Sequence, residues 1–169
     1  DAVIMPARAD VPDDLLQYVE DVGLAFESFG GSRMMGRVLG WLLVADPPHQ
    51  TFAEIADALG KSKGSISHAT RALIGTNLIE RASIPGQRRD VYRIREGGWG
   101  EIMQARMQGL IRMRRLARRG LDLLEDAGPE RKRNLEEMFS LYAFFEREMP
   151  TLIERWKVAY DTESGDAGT

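Results

Sequence analysis

A mainly α-helical fold with a small β-hairpin wing is what this 169-residue sequence predicts: a winged helix-turn-helix domain flanked by long helices. Three observations predict it. Two short amphipathic helical patterns, 51–60 and 62–75, are joined through Gly60. A β-branched and aromatic run then lies on either side of Pro85-Gly86. Longer stretches of helical period stand before and after this block.

In chain order, residues 1–12 carry two prolines and no periodicity, and read as a lead-in. From Asp13, the residues Leu15, Val19, Val22, Phe26 and Phe29 fall on one helical face, which Leu16, Gly23 and Leu24 broaden. A face that wide with little chain before it is expected to be buried by a partner subunit, the alternative being packing on its own domain. Gly30-Gly31 breaks this helix. Ser32 caps a second one that ends before Pro47-Pro48. Gly31–Val38 has the look of a phosphate loop but lacks its Lys and Ser/Thr and follows no strand, so it is a helix boundary.

Thr51 with Glu54 three residues later is a capping-box start. Ile55, Ala58 and Leu59 form the apolar stripe of that helix, and Gly60 ends it. Ser62 caps the next helix, whose inward strip is Ile66, Ala69, Thr70, Leu73 and Ile74. Residues 79–83 and 90–95 are expected to pair as a hairpin turned at Pro85-Gly86, with a basic tip.

Gly97-Gly98 hinges into a helix running to about Asp126, with Gly109 and Gly120 placed where another helix would approach. Pro129 opens the final helix, which Pro150 is expected to kink or divide near Met149, and the last residues read as a disordered tail. The organisation is therefore 1–31, lead-in and dimerisation helix; 32–96, winged helix-turn-helix; 97–161, long helices for dimerisation and effector response; and 162–169, tail. Three amphipathic arms around one small domain are satisfied most simply by a homodimer.

Composition narrows the function. The chain has no cysteine and two histidines, which excludes disulfides and thiolate metal sites and leaves no metal or cofactor expected. A membrane span and a signal-peptide pattern are missing, so a cytoplasmic protein is expected. The net charge is −3, unevenly spread. Residues 1–31 hold one basic against seven acidic residues, 32–95 hold ten against five, and 96–169 hold twelve against fourteen. The positive excess sits on the winged helix, where double-stranded DNA would need it.

In a helix-turn-helix the second helix enters the major groove by its N-terminal half. Its outward positions here are Lys63, Ser65, Ser67, His68 and Arg71. Arg71 can donate bidentately to guanine, and His68 can exchange a hydrogen bond with a base edge. Lys61 and Lys63 suit phosphate, as do the helix starts capped by Thr51 and Ser62. Gln87, Arg88 and Arg89 at the wing tip suit the minor groove or backbone. The five arginines between Arg112 and Arg119 border an apolar stripe and read as solvated flanks or ion-pair partners more readily than as DNA contacts.

The run Arg33–Ile94 resembles the winged-helix domain of the MarR superfamily of bacterial transcriptional regulators. AEIADALGKSKGSIS, the Leu73 to Leu78-Ile79 segment and the Gly86–Arg89 tip are closest to its GbsR-like branch. Thr70 departs from the pattern, in which Leu is usual. The resemblance implies a homodimer on a roughly palindromic operator, often modulated by a small-molecule effector. It also raises a choline-like ligand caged by Met138, Phe139, Tyr142 and Trp156, although dimer core is the plainer use of such a stripe. A winged helix used for protein contact is the rival, and it calls for a neutral, apolar recognition face. Catalysis has the least support: Ser65 and His68 are three residues apart with no orienting acid nearby.

Overall fold

The computed structural model describes residues 11–86 and 88–166. The chain divides into two compact units, residues 1–98 and 99–169.

The first unit opens with α1 (Asp13–Ser28), whose first-turn aspartates Asp13 and Asp14 complement the helix dipole. It packs on α2 (Arg33–Val44), which begins at Ser32, where the hydroxyl accepts the Met35 N–H at 3.1 Å. The centre of the α1 face, at Val19 and Gly23, is covered by α2 of its own domain. Glycine is the reason. A Cβ on Gly36 would lie 2.7 Å from the Gly23 Cα and from the Val22 carbonyl oxygen, so only bare backbones permit this approach. Gly40 continues the seam against Val19 and Val22. Leu24 and Phe29 stay exposed to either side.

The strand β1 (His49–Thr51) was not expected from the sequence, being three residues long and polar. It is held by its central residue. The buried Gln50 accepts the indole N–H of Trp41 at 3.2 Å and donates to the Pro47 carbonyl at 2.9 Å. Thr51 then starts α3 (Phe52–Leu59) with both halves of the capping box formed. Gly60 ends that helix in the left-handed region at φ 58°. Ser62 accepts the Ser65 N–H and starts α4 (Lys63–Gly75).

Ile66, Ala69, Thr70 and Leu73 of α4 are buried with Ile55, Leu39 and Leu42, while Ile74 is half-buried. Thr70 costs the core less than its polarity suggests, because its hydroxyl donates to the Ile66 carbonyl at 2.9 Å. The wing strands β2 (Ile79–Ala82) and β3 (Val91–Ile94) are each slightly shorter than expected. The sheet is antiparallel in the order β1-β3-β2, with Ala82 opposite Val91 as the last pair before the loop.

The second unit is built on two long helices, α5 (Gly98–Leu123) and α6 (Pro129–Asp166). At 1.5 Å per residue they are about 39 and 57 Å long. They run antiparallel: Gly120 meets Leu135, Arg114 pairs with Glu146, and Gly100 meets Trp156. Close approach therefore occurs at Gly120, where a Cβ would lie 2.9 Å from Leu135, whereas Gly109 faces open space beyond its neighbour Arg112. α6 is not divided at Pro150, where a kink or a division was expected. Proline removes one backbone donor, and the turns on both sides continue the hydrogen-bonded ladder. The helix also extends to Asp166, past the expected start of a tail at 162, with the Thr162 hydroxyl donating to the Val158 carbonyl. Residues 167–169 lie outside the described residues.

Candidate nucleic-acid interface

α4 has one face in the core and the other in water. Lys63, Ser65, His68 and Arg71 are exposed on the outward face, and Ser67 is half-buried at its edge. Arg71 donates from Nε to the Ser67 carbonyl at 3.2 Å. That bond draws the side chain back along its own helix and uses one of its five N–H donors. Ser62 and Ser65 share a hydroxyl–hydroxyl bond of 3.0 Å beside exposed Lys61 and Lys63. The Thr51 hydroxyl is occupied by the Glu54 N–H at 3.3 Å, so any phosphate there would meet the first free backbone donors of α3.

The wing carries exposed Arg88 and Arg89, whereas Gln87 lies outside the described residues. A groove of about 330 Å³ separates the wing from the start of α3, with Thr51 and Phe52 on one wall and Arg81, Arg88, Arg89 and Asp90 on the other. The structure thus brings the two helix starts, the outward face of α4 and the wing tip into one unit. Among the described residues, no group of three or more His, Cys, Asp or Glu is placed to hold a metal. No helix among them is long and apolar enough to cross a membrane.

Residues 32–90 match the family model for the MarR family, and residues 97–159 match that of MmpR5-like MarR family transcriptional regulators. The HTH-type transcriptional regulator MmpR5 of Mycobacterium tuberculosis (strain ATCC 25618 / H37Rv) is 39% identical over 143 residues, spanning 85% of this chain and 87% of that protein. The chain belongs to the MarR family of transcriptional regulators. A crystal structure described as a transcriptional regulator shares the fold at a TM-score of 0.71, with 39% identity over 85% of this chain and 98% of that one. The HTH-type transcriptional repressor OpcR of Bacillus subtilis (strain 168) is 31% identical over 78 residues, 46% of this chain and 42% of its own. As a MarR-family member the protein is a DNA-binding transcriptional regulator and not an enzyme.

The finer branch changes. The GbsR-like resemblance drew on short motifs of the winged domain, whereas the arms, which those motifs leave out, match the MmpR5-like model. The choline-like ligand loses its basis with that branch. Phe139, one of the four residues proposed for the cage, is also engaged within the protein: the Arg118 guanidinium lies 4.3 Å from its ring centre and that of Arg114 5.9 Å. Arg114 also pairs with Glu146, so part of the α5 arginine run ties this MarR-family protein's two long helices together.

Arg81, Ser83 and Asp90 are absent from the sequence-derived set of interface residues. Asp90 accepts from Arg81 Nε at 2.7 Å and from the Ser83 hydroxyl at 2.8 Å. The Ser83 hydrogen bond first, and Arg81 second, hold the Asp90 carboxyl below its usual value. Hairpin geometry held the signal: with the turn at 85–86, residues 83 and 90 face each other and 81 sits diagonally across.

Proposed function

We propose that the protein acts as a homodimer that reads a roughly palindromic operator with two copies of α4 and is modulated by a small-molecule effector. One observation carries the reading: α4 buries Ile66, Ala69 and Leu73 while exposing Lys63, Ser65, His68 and Arg71. A helix used for protein contact would expose apolar groups, and this face has none. Arg71 and His68 are assigned to base edges, with Ser65 and Ser67 allowing close approach. Lys61, Lys63 and the helix starts at Thr51 and Ser62 are assigned to phosphates, and Gln87, Arg88 and Arg89 to the minor groove or its rim.

Dimerisation is supported by the apolar side chains that one protomer leaves in water on the second unit, including Leu116 of α5 and Leu141, Phe144, Leu152 and Trp156 of α6. An open apolar groove of about 630 Å³, floored by Met103, Met107, Leu110, Met113 and Met149, supports the arms as the place for a partner helix or an effector. An effector shifts operator affinity only by binding two arrangements of the dimer unequally.

Genomic fragments recovered on the full-length protein and sequenced, followed by gel shifts on the enriched sites, test the DNA reading. Enrichment of sites whose half-sites lie about 34 Å apart, one turn of DNA, is expected. Sedimentation at gel-shift concentrations should show a dimer. A monomer, or equal retention of all fragments, would refute the proposal.

A further inference from the structure

We infer that Arg81 is an additional phosphate ligand of the wing, held in reserve by Asp90 and transferred to a DNA backbone phosphate seated in the groove between the start of α3 and the wing. The inference rests on the DNA reading above and adds a residue and a device to it.

The geometry of the pair carries it. Asp90 spends Oδ1 on the Ser83 hydroxyl at 2.8 Å, so both donors of Arg81, Nε and one terminal nitrogen, converge on Oδ2 alone. A carboxylate with both oxygens open would take a guanidinium fork-to-fork, the stronger arrangement. The pair here does not adopt it: Oδ1 accepts from Ser83, and Arg81 is held through Oδ2. Arg81 therefore sits in a one-oxygen pair, with guanidinium donors beyond the two that Asp90 uses. The pair is also wet, its side chains 62% and 33% exposed, and exposed pairs contribute little.

Placement does the rest. Arg81 lines the same groove as Arg88 and Arg89, opposite Thr51 and Phe52. Three guanidinium groups around a cleft of about 330 Å³ suit one phosphate group, and Asp90 is the acidic group lining it. Without DNA the carboxylate balances Arg81 and keeps the wing from carrying three unopposed cations. An arriving phosphate offers two or three oxygens to the fork, whereas Asp90 engages it through one, so the transfer runs towards DNA. Asp90 is then a competitor of the phosphate for Arg81. With Ser83 it also closes the mouth of the hairpin just beyond the last strand pair, Ala82 with Val91.

A charge-neutral double variant tests this. R81Q/D90N leaves the net charge of the wing unchanged, so the loss of the Arg81–phosphate bond is read apart from a change in net charge. Binding of the full-length protein to its recovered operator is measured across salt for wild type, D90N and R81Q/D90N, each first shown to unfold cooperatively. The double variant should flatten the slope of log affinity against log salt by about 0.9 per protomer. That slope change corresponds to an affinity difference of about 3-fold per protomer over a fourfold salt range. D90N alone should keep the wild-type slope and bind several-fold tighter.

A double variant with wild-type slope and affinity overturns the inference and leaves the DNA reading standing. A wild type that binds no DNA removes both. If the double variant does not fold, the Arg81 Nε–H resonance of the wild type, assigned by its loss in R81K, decides instead. It should move when operator is added, and an unmoved signal overturns the transfer.

Discussion

Replacing Gly36 by alanine probes the contact on which the first unit is assembled. A Cβ there would lie 2.7 Å from the Gly23 Cα, the Val22 carbonyl oxygen and the Phe26 Cβ. Real Cβ atoms do not come that close, and the first two neighbours are backbone, so no rotamer change relieves the clash. The helices must part. Forcing extra methyl volume into a packed seam costs about 1–3 kcal/mol. Alanine returns up to about 1 kcal/mol of helix propensity over glycine, so the net loss should be about 0–2 kcal/mol against wild type, and about 1–3 kcal/mol against a Gly→Ala control that gains the propensity without the clash. For a chain of this length that is a drop of up to about 8 °C in the melting temperature against wild type. Gly75→Ala is the matched control, since nothing lies within 4 Å of its Cβ position. It should be neutral or slightly stabilising. The assay is chemical and thermal unfolding of both variants beside wild type. Because α2 also packs on α4, Gly36→Ala should weaken operator binding too. A Gly36→Ala protein as stable as Gly75→Ala would refute the argument that bare backbones set the α1–α2 distance.

Four further outcomes are expected. Arg71→Ala should cost about 1–3 kcal/mol on the cognate operator and relax base preference in a competition gel shift, and a loss equal on every sequence would mean another side chain does the reading. Arg88→Ala with Arg89→Ala should weaken all sequences more evenly and flatten the salt slope by about one unit for each phosphate that is no longer neutralised. Gln50→Ala strands the Trp41 indole N–H in the core and should cost about 1–3 kcal/mol, read by denaturant unfolding. Glu20 is held below its ordinary value of 4.5, chiefly by its hydrogen bond from Arg37. A lowered carboxyl contributes stability above the unfolded value and loses it as pH falls through the folded one. Glu20→Gln should therefore be less stable than wild type at neutral pH, by about 0.2–1 kcal/mol, and the gap should shrink as pH falls below 4.5.

Much of the winged domain was legible because its signals are local. The Thr51–Glu54 capping box, the Gly60 stop, the Ser62 cap and the inward strip of α4 are each written within a few residues and appear as expected. The β1 strand was not legible. Three polar residues carry no pattern, and their pairing depends on β3, some forty residues on. Arg81 and Asp90 were passed over for the same kind of reason: their roles appear only when the hairpin register brings them together. The α1–α2 seam was not legible either, because the glycines of α2 that admit α1 could not be matched to it from spacing alone.

By itself the amino-acid order determined what depends on neighbours a turn or two apart: where helices start and stop, which side of each is apolar, and where positive charge accumulates. Packing in three dimensions decided that α1 lies on α2, that Gln50 closes the core beneath Trp41, and that Arg81 is held by one oxygen of Asp90. Local elements answer to backbone geometry and capping, which act over a few residues. Contacts between them depend on distances that only the assembled chain sets.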